Sequence, residues 1–361
     1  MPLPRSLTKV GLLLGAVAIV VAAGTGGARA LVVQAHDADA YAIRAPNGVD
    51  EAEFVSINGL DQWITIRGQD RRKPVVLILH GGPGQAQSHL IQRMAPMETD
   101  FVVVQWDQRG AGRTLAHAGG LVDPALDLKT MVSDGLAVTE YLRRHLHRDR
   151  IVLLGFSWGS RLGVEMAEAR PSDYAAFVGT GQAAATQAVS DAWVYEHLLE
   201  RATAAGDAKG LADLREAGPP PWKPEAGQKA YRASAPYRGP EVSLAEGTKA
   251  AFTAPNWTVS DVQALARGRS AYKATQLERD LAAFNPDTFG GSLAVPVIVI
   301  DGADDLTTPA PLAAAWARRI KAPKTAFAVI ADAGHQALVT HNAAFSEALK
   351  EKLSALGIRT N

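Results

Sequence analysis

Five short apolar runs, spaced along the chain and separated by helical patterns, constrain its fold more than any other feature. They are Val-Val-Leu-Ile-Leu at 75–79, Phe-Val-Val-Val at 101–104, Ile-Val-Leu-Leu at 151–154, Ala-Phe-Val-Gly at 176–179 and Val-Pro-Val-Ile-Val-Ile at 295–300. A strand with no polar alternation is covered on both faces, as parallel sheets require. Helical patterns at 126–147, 160–169, 309–320 and 343–356 fall between or after these runs, and a last strand is expected near 326–330. The helix at 160–169 stops at Arg170-Pro171, where proline discourages continuation. Glu-Phe-Val-Ser-Ile at 53–57, then Asn58-Gly59, then Trp-Ile-Thr-Ile at 63–66 predict a hairpin with a type I′ turn. The expected class is α/β: a mostly parallel, doubly wound sheet with an antiparallel start.

Between residues 182 and 291 the alternation stops. Helical stretches such as 189–204 and a rigid Gly-Pro-Pro-Pro-Trp turn at 218–222 occur there, with no convincing strand run. Insertions into such sheets sit over the carboxyl ends of the strands, where ligands bind, so this segment is read as a helical cap. The expected organisation is a first core part at 31–181, the cap at 182–291 and a second core part at 292–361.

Composition narrows the function classes. Lys plus Arg (37) equals Asp plus Glu (37), so no net field favours nucleic acid or an anionic membrane, and a small molecule or short peptide is the expected partner. The absence of cysteine excludes disulfides, thiolate zinc sites and a cysteine nucleophile. At the N-terminus, Arg5 and Lys9 precede an apolar run at 10–23, and the segment ends in Ala-Arg-Ala at 28–30. These are the three parts of a secretory signal, with cleavage expected after Ala30; an uncleaved anchor is the alternative. Either way the remainder is exported.

The run at 151–154 leads into Gly155-Phe-Ser157-Trp-Gly159 and then a helical pattern, the strand–turn–helix context of a G-x-S-x-G nucleophile elbow. A serine hydroxyl needs a base and a group that orients the base. In this order of elements the acid and then a histidine should follow. Asp301-Gly-Ala-Asp-Asp305 leaves the run at 295–300, and Gly334-His335 follows the last expected strand. Asp305 and His335 are thus candidates at the same sheet edge as Ser157; Asp301 and Asp304 are alternatives for the acid, and Asp305 could instead cap the next helix. Acyl transfer also needs oxyanion donors, and His80-Gly-Gly-Pro-Gly84 follows the run at 75–79. Pro83 has no N–H, so Gly82 is the candidate, paired with the N–H of Trp158. His80 is expected to bond to backbone and hold this loop. In Asp107-Gln-Arg-Gly-Ala-Gly-Arg113 an Asp107–Arg109 ion pair is expected, in a structural role.

These motifs together resemble the α/β-hydrolase superfamily and, within it, the prolyl iminopeptidase-like serine hydrolases. The resemblance rests on His80-Gly-Gly-Pro-Gly84, Asp107-Gln-Arg-Gly-Ala-Gly-Arg113, Gly155-Phe-Ser-Trp-Gly-Ser160, the Gly302-x-x-Asp305-x-x-x-Pro309 spacing and Gly334-His335. It implies Ser157 as nucleophile, Asp305 as acid, His335 as base and a helical cap after the sixth strand. It also implies release of an N-terminal proline, with cap glutamates holding the substrate amine. Glu196 and Glu200, four residues apart on one helix face, are the candidates for that task, against the reading of a solvated face. Trp193, Tyr195, Trp222, Tyr231, Tyr237, Phe252, Trp257 and Tyr272 are possible pocket walls, most of them expected to be core. The leading expectation is an aminopeptidase using no metal or organic cofactor. The alternatives are an esterase, lactonase or amidase on a small apolar acyl group, and a non-catalytic ligand-binding scaffold.

Overall fold

The computed structural model describes residue 34 and residues 38–120, 122–255, 257–286 and 289–358. The expected signal segment, residues 1–30, lies outside the described residues. Eight strands form one sheet: β1 (Val49–Ile57), β2 (Leu60–Gly68), β3 (Val75–Leu79), β4 (Val102–Trp106), β5 (Ile151–Phe156), β6 (Tyr174–Thr180), β7 (Val297–Gly302) and β8 (Thr325–Ile330). Their spatial order is β1-β2-β4-β3-β5-β6-β7-β8. The β1/β2 and β2/β4 pairs are antiparallel and all others parallel. Asn58 (φ 48°) and Gly59 (φ 78°) turn the hairpin, the two positive angles that Asn-Gly accommodates.

Every residue of β3 to β7 is buried, for the reason visible in the sequence: both faces are covered. Side chains alternate between two cores. Leu77, Leu79, Val104, Leu153, Phe177 and Val299 face helices α2 (Leu128–His145), α3 (Trp158–Ala169) and α10 (Ala310–Arg319) through Val138, Leu162 and Trp316. Val76, Ile78, Val103, Val152, Leu154, Val178 and Ile300 face α11 (Asn342–Ala355) through Phe345 and Leu349. Full burial of each such side chain contributes about 1.5–3 kcal/mol. Exposed positions gather at the sheet's edges, on β1 and Asp61 of β2 at one side and on β8 at the other. Strand β7 ends two residues later than its apolar run, so Asp301 lies inside the strand rather than on the loop beyond it.

Between β6 and β7 the described residues form six α-helices and no named strand: α4 (Gln187–Ala204), α5 (Ala208–Ala217), α6 (Pro224–Ala233), α7 (Leu244–Thr253), α8 (Val259–Ala271) and α9 (Gln276–Ala282). Val194, Leu198, Leu214, Ala230 and Tyr237 give this insert a small core of its own. It is fastened to the sheet's carboxyl edge. Arg201 Nη1 meets Asp304 Oδ1 at 2.6 Å, the Gly239 N–H donates to the Asp304 carbonyl (3.4 Å), and the Val242 N–H donates to Gln336 Oε1 (2.9 Å). Helix α8 packs against the short helix α1 (Gly112–His117), and its Gly268 lies so close to the loop after β3 that a Cβ there would fall 1.9 Å from the Gly84 carbonyl oxygen. Of the aromatic side chains in the insert, Tyr237, Trp257 and Tyr272 are buried, Trp193, Tyr195 and Trp222 half-buried, and Tyr231 and Phe252 exposed. Among the described residues no helix is long and apolar enough to cross a membrane.

Candidate active site

Ser157 occupies the turn between β5 and α3 with φ 55° and ψ −120°. A non-glycine residue held there costs on the order of 1–3 kcal/mol, so the surroundings must enforce it. The flanking glycines make the turn possible: a Cβ at Gly155 would lie 2.3 Å from the Gly159 carbonyl oxygen, and one at Gly159 would lie 2.0 Å from the Leu79 carbonyl oxygen. Hydrogen bonds then lock it. The Ser157 N–H donates to the Thr180 carbonyl (2.9 Å), and Ser160 Oγ donates to the Ser157 carbonyl (2.6 Å) while accepting from the Ala183 N–H (2.9 Å). Ser160 therefore ties the turn to the exit of β6.

Three loops bring the partners together. His335, after β8, places Nε2 3.1 Å from Ser157 Oγ and Nδ1 2.9 Å from Asp305 Oδ2. Asp305, after β7, is 2 % exposed, and its Oδ1 accepts the N–H groups of Thr307 and Thr308, both at 2.8 Å. Thr308 Oγ1 donates to Asp305 Oδ2 (2.8 Å) and sits 3.1 Å from His335 Nδ1. The carboxylate fixes the tautomer: Nδ1 carries the hydrogen and donates to Oδ2, leaving Nε2 free to accept from the serine. Burial opposes charge at both residues, but the attraction and hydrogen bond between them win, holding Asp305 below its ordinary range and His335 above 6.5. This arrangement can deprotonate a serine that attacks a carbonyl carbon.

The acid alternatives are resolved by the same contacts. Asp304 turns away to Arg201, and Asp301 is fully buried behind the site, with Oδ1 accepting the Gln182 N–H (3.3 Å). Nothing in the sequence marks the supporting roles of Thr308 and Ser160: a threonine three residues after an acid, or a serine three after a nucleophile, carries no local signal of its partner.

Opposite His335, the loop after β3 passes the serine backbone-first: a Cβ at Gly81 would be 3.2 Å from Ser157 Cβ. Among the described residues the N–H groups of Gly82 and Trp158 donate to no protein group, so both are free to receive an oxyanion. His80 holds this loop. Nδ1 lies 2.8 Å from the Gly81 carbonyl and Nε2 accepts the Gln108 N–H (3.2 Å). Burial pushes its imidazole down to about 4, so it is neutral at pH 7. Gln108 joins the parts, donating to the His80 carbonyl (3.1 Å) and accepting from Trp158 Nε1 (3.0 Å).

One expectation needs correction. Arg109 does not pair with Asp107; its Nε and Nη2 bind Asp134 on α2 at 2.6 and 3.1 Å. Asp107 instead accepts the Arg113 N–H (2.9 Å) in a fully buried position, where desolvation pushes its carboxyl up to about 7. Adjacency in sequence suggested the first pair, whereas the fold supplied a fully buried acid from a distant helix. Glu196 and Glu200 are both exposed, on the face of α4 turned away from its buried stripe Val194, Leu198 and Ala202. That is a solvated face. Glu241 is another exposed cap acid, and its charge is among those that favour the protonated form of His335.

A sequence model of the alpha/beta hydrolase fold matches residues 74–342. A probable aminopeptidase of Bacillus subtilis is 27% identical over 302 residues, covering 82% of this chain and 93% of the relative. A probable proline iminopeptidase of Streptomyces coelicolor is 38% identical, over 35% of this chain and 38% of its own length. Among solved structures, a membrane phospholipase A superposes with a TM-score of 0.62, covering 97% of this chain and all of that one; at 16% identity it shares the fold alone. The match spans strands, elbow and histidine loop together, and the chain belongs to the alpha/beta hydrolase fold family, as a prolyl iminopeptidase-like member.

Proposed function

We propose that this chain is an exported serine hydrolase, an aminopeptidase of the prolyl iminopeptidase type that works through an acyl-enzyme on Ser157. The observation that carries the reading is the relay from Ser157 Oγ to His335 Nε2 (3.1 Å) and from His335 Nδ1 to Asp305 Oδ2 (2.9 Å). Ser157 Oγ attacks the carbonyl carbon as its proton passes to Nε2, and the oxyanion is received by the N–H groups of Gly82 and Trp158. His335 then gives that proton to the leaving amine, and water, activated by the same nitrogen, releases the acyl group. Asp305 keeps the imidazole in the required tautomer and stabilises it when protonated.

The relatives named as aminopeptidases favour a substrate with a free amine. Glu241 is the proposed anchor for that amine, because the next residue, Val242, is hydrogen-bonded through its N–H to Gln336, the neighbour of His335 in the chain (2.9 Å), and the Glu241 charge favours the protonated form of His335. Export rests on the N-terminal signal pattern, and an N-terminal mass measurement of the exported protein distinguishes cleavage after Ala30 from an anchor.

Fluorophosphonate labelling tests the chemistry. The wild type should be labelled and Ser157→Ala should not; no labelling of the wild type would leave a ligand-binding scaffold. Proline arylamides should be cleaved faster than short-chain p-nitrophenyl esters, and Glu241→Gln should raise KM for the arylamide while sparing the esters. Ester turnover with no arylamide cleavage would reject the aminopeptidase and leave the esterase.

A further inference from the structure

Asp301 is a buried acid that the proposed reaction does not use. It is the penultimate residue of strand β7, four residues before Asp305, at 0% exposure. Its Oδ1 accepts the Gln182 N–H (3.3 Å), with the Gly181 N–H beside it. Its Oδ2 meets no protein partner among the described residues, and neither do the neighbouring buried oxygens Thr180 Oγ1 and Gln182 Oε1.

The corner formed by Gly181 and Gln182 matters to the site. A Cβ at Gly181 would fall 2.8 Å from His335 Cε1, so the imidazole rests directly on that backbone, with Phe156 on another side at 5.0 Å between ring centres. One residue earlier, the Thr180 carbonyl holds the Ser157 N–H. The carboxyl of Asp301 thus sits where the support of the base and the support of the nucleophile meet.

Charge decides the form in which it sits there. The groups facing it are Asp305 from the β7 exit, His335 from the β8 exit, and the uncharged backbone N–H groups of Gly181 and Gln182 from the β6 exit. Glu241 adds a further negative charge near His335. Two ionised carboxylates behind one imidazole would repel each other in a desolvated site. Asp305 has four donors and keeps its charge; Asp301 has only the Gln182 N–H at 3.3 Å with that of Gly181 beside it, and is the one that retains a proton.

We propose that Asp301 is a positioning residue for His335 that works as a neutral acid, fixing the corner on which the imidazole rests and leaving Asp305 as the carboxylate that faces Nδ1. Burial first, and then the charge of Asp305, push its carboxyl up to about 8, which agrees with the geometry. The inference rests on the serine-hydrolase reading, and fluorophosphonate labelling separates the two: loss of labelling in Ser157→Ala tests that reading, and the Asp301 variants test this one.

Asp301→Asn keeps an oxygen acceptor and is neutral at every pH; Asp301→Leu keeps neither acceptor nor charge. At pH 7 the labelling rate constant should fall no more than about threefold in the Asn variant and at least about tenfold in the Leu variant, since only Leu strands a buried N–H. Comparable loss in both, or none in Leu, overturns the positioning role. Stability against pH gives a readout independent of packing. In the wild type the native state holds a proton that the unfolded state has lost between about pH 4 and 8, so this group's contribution to stability falls as pH rises through that window. The Tm of Asp301→Asn relative to wild type should therefore rise by at least about 3 °C from pH 5 to pH 8. A difference that stays flat or falls means that Asp301 is ionised in the folded protein, and overturns the neutral-acid assignment.

Discussion

Replacing Asp305 by asparagine should harm the enzyme more than replacing it by alanine, and the hydrogen bonds around the carboxylate say why. Oδ1 accepts two backbone N–H groups, from Thr307 and Thr308, so in the Asn variant the amide oxygen must take that place. The amide NH2 is then driven into the position of Oδ2, where it faces His335 Nδ1 and Thr308 Oγ1. It donates to Nδ1 and forces the hydrogen onto Nε2, the nitrogen that must accept from Ser157. To react, the imidazole has to return to the other tautomer and set N–H against N–H in a buried site. That costs about 2–3 kcal/mol, or roughly 30- to 150-fold in rate. In Asp305→Ala nothing imposes the wrong tautomer, because Thr308 Oγ1, 3.1 Å from Nδ1, can turn and accept its hydrogen. Both variants lose the charge that stabilises the imidazolium, and the Asn variant should retain about 10⁻⁴ of the wild-type kcat. Single-turnover acylation by a p-nitrophenyl ester measures this, with labelled Ser157 counting the competent sites. If Asp305→Asn equals or exceeds Asp305→Ala, the tautomer reasoning fails.

Three further outcomes follow from the same contacts. Since His335 is the base only when neutral, and since Asp305 outweighs burial in holding its pKa above 6.5, kcat/KM should fall as pH drops through a midpoint above 6.5; in Asp305→Ala burial dominates and the residual activity should titrate below it. A midpoint unmoved by the substitution would contradict the coupling. Gly159→Ala puts a Cβ 2.0 Å from the Leu79 carbonyl oxygen on β3, so helix and strand must separate. It should destabilise by about 1–3 kcal/mol or more and, by shifting the serine against the oxyanion loop, lower kcat about 100-fold; wild-type kcat would refute this. Asp134→Leu leaves the Arg109 guanidinium and the Gln62 and Asn58 amides without their shared acceptor. Urea unfolding should report a loss of about 3–5 kcal/mol, and a loss under about 1 kcal/mol would show the network to be dispensable.

The sheet was legible because burial on both faces leaves no polar alternation, and the five apolar runs each fall on a strand of β3 to β7. Ends were less legible. The run at 295–300 stops where hydrophobicity stops, yet hydrogen bonding to β8 carries the strand through Asp301 and Gly302. The elbow was readable from Gly155, Ser157 and Gly159, because backbone approaches of 2.0–2.3 Å admit no other residue. The Arg109 partner was not, since Asp134 stands 25 residues away and nothing in its own neighbourhood marks it. The face of α4 that carries Glu196 and Glu200 followed from i,i+4 spacing, but periodicity cannot say whether a polar face meets solvent or a ligand.

The sequence by itself determined the order of strand, elbow, acid loop and histidine loop, because local rules of burial and backbone freedom act on residues close together in the chain. Only the tertiary structure decided which of three aspartates meets His335 and that the other nitrogen of its ring meets Ser157. Those are distances of a few ångströms between residues 30 to 178 positions apart. Charge and hydrogen bonding depend on such distances, and spacing along the chain does not encode them.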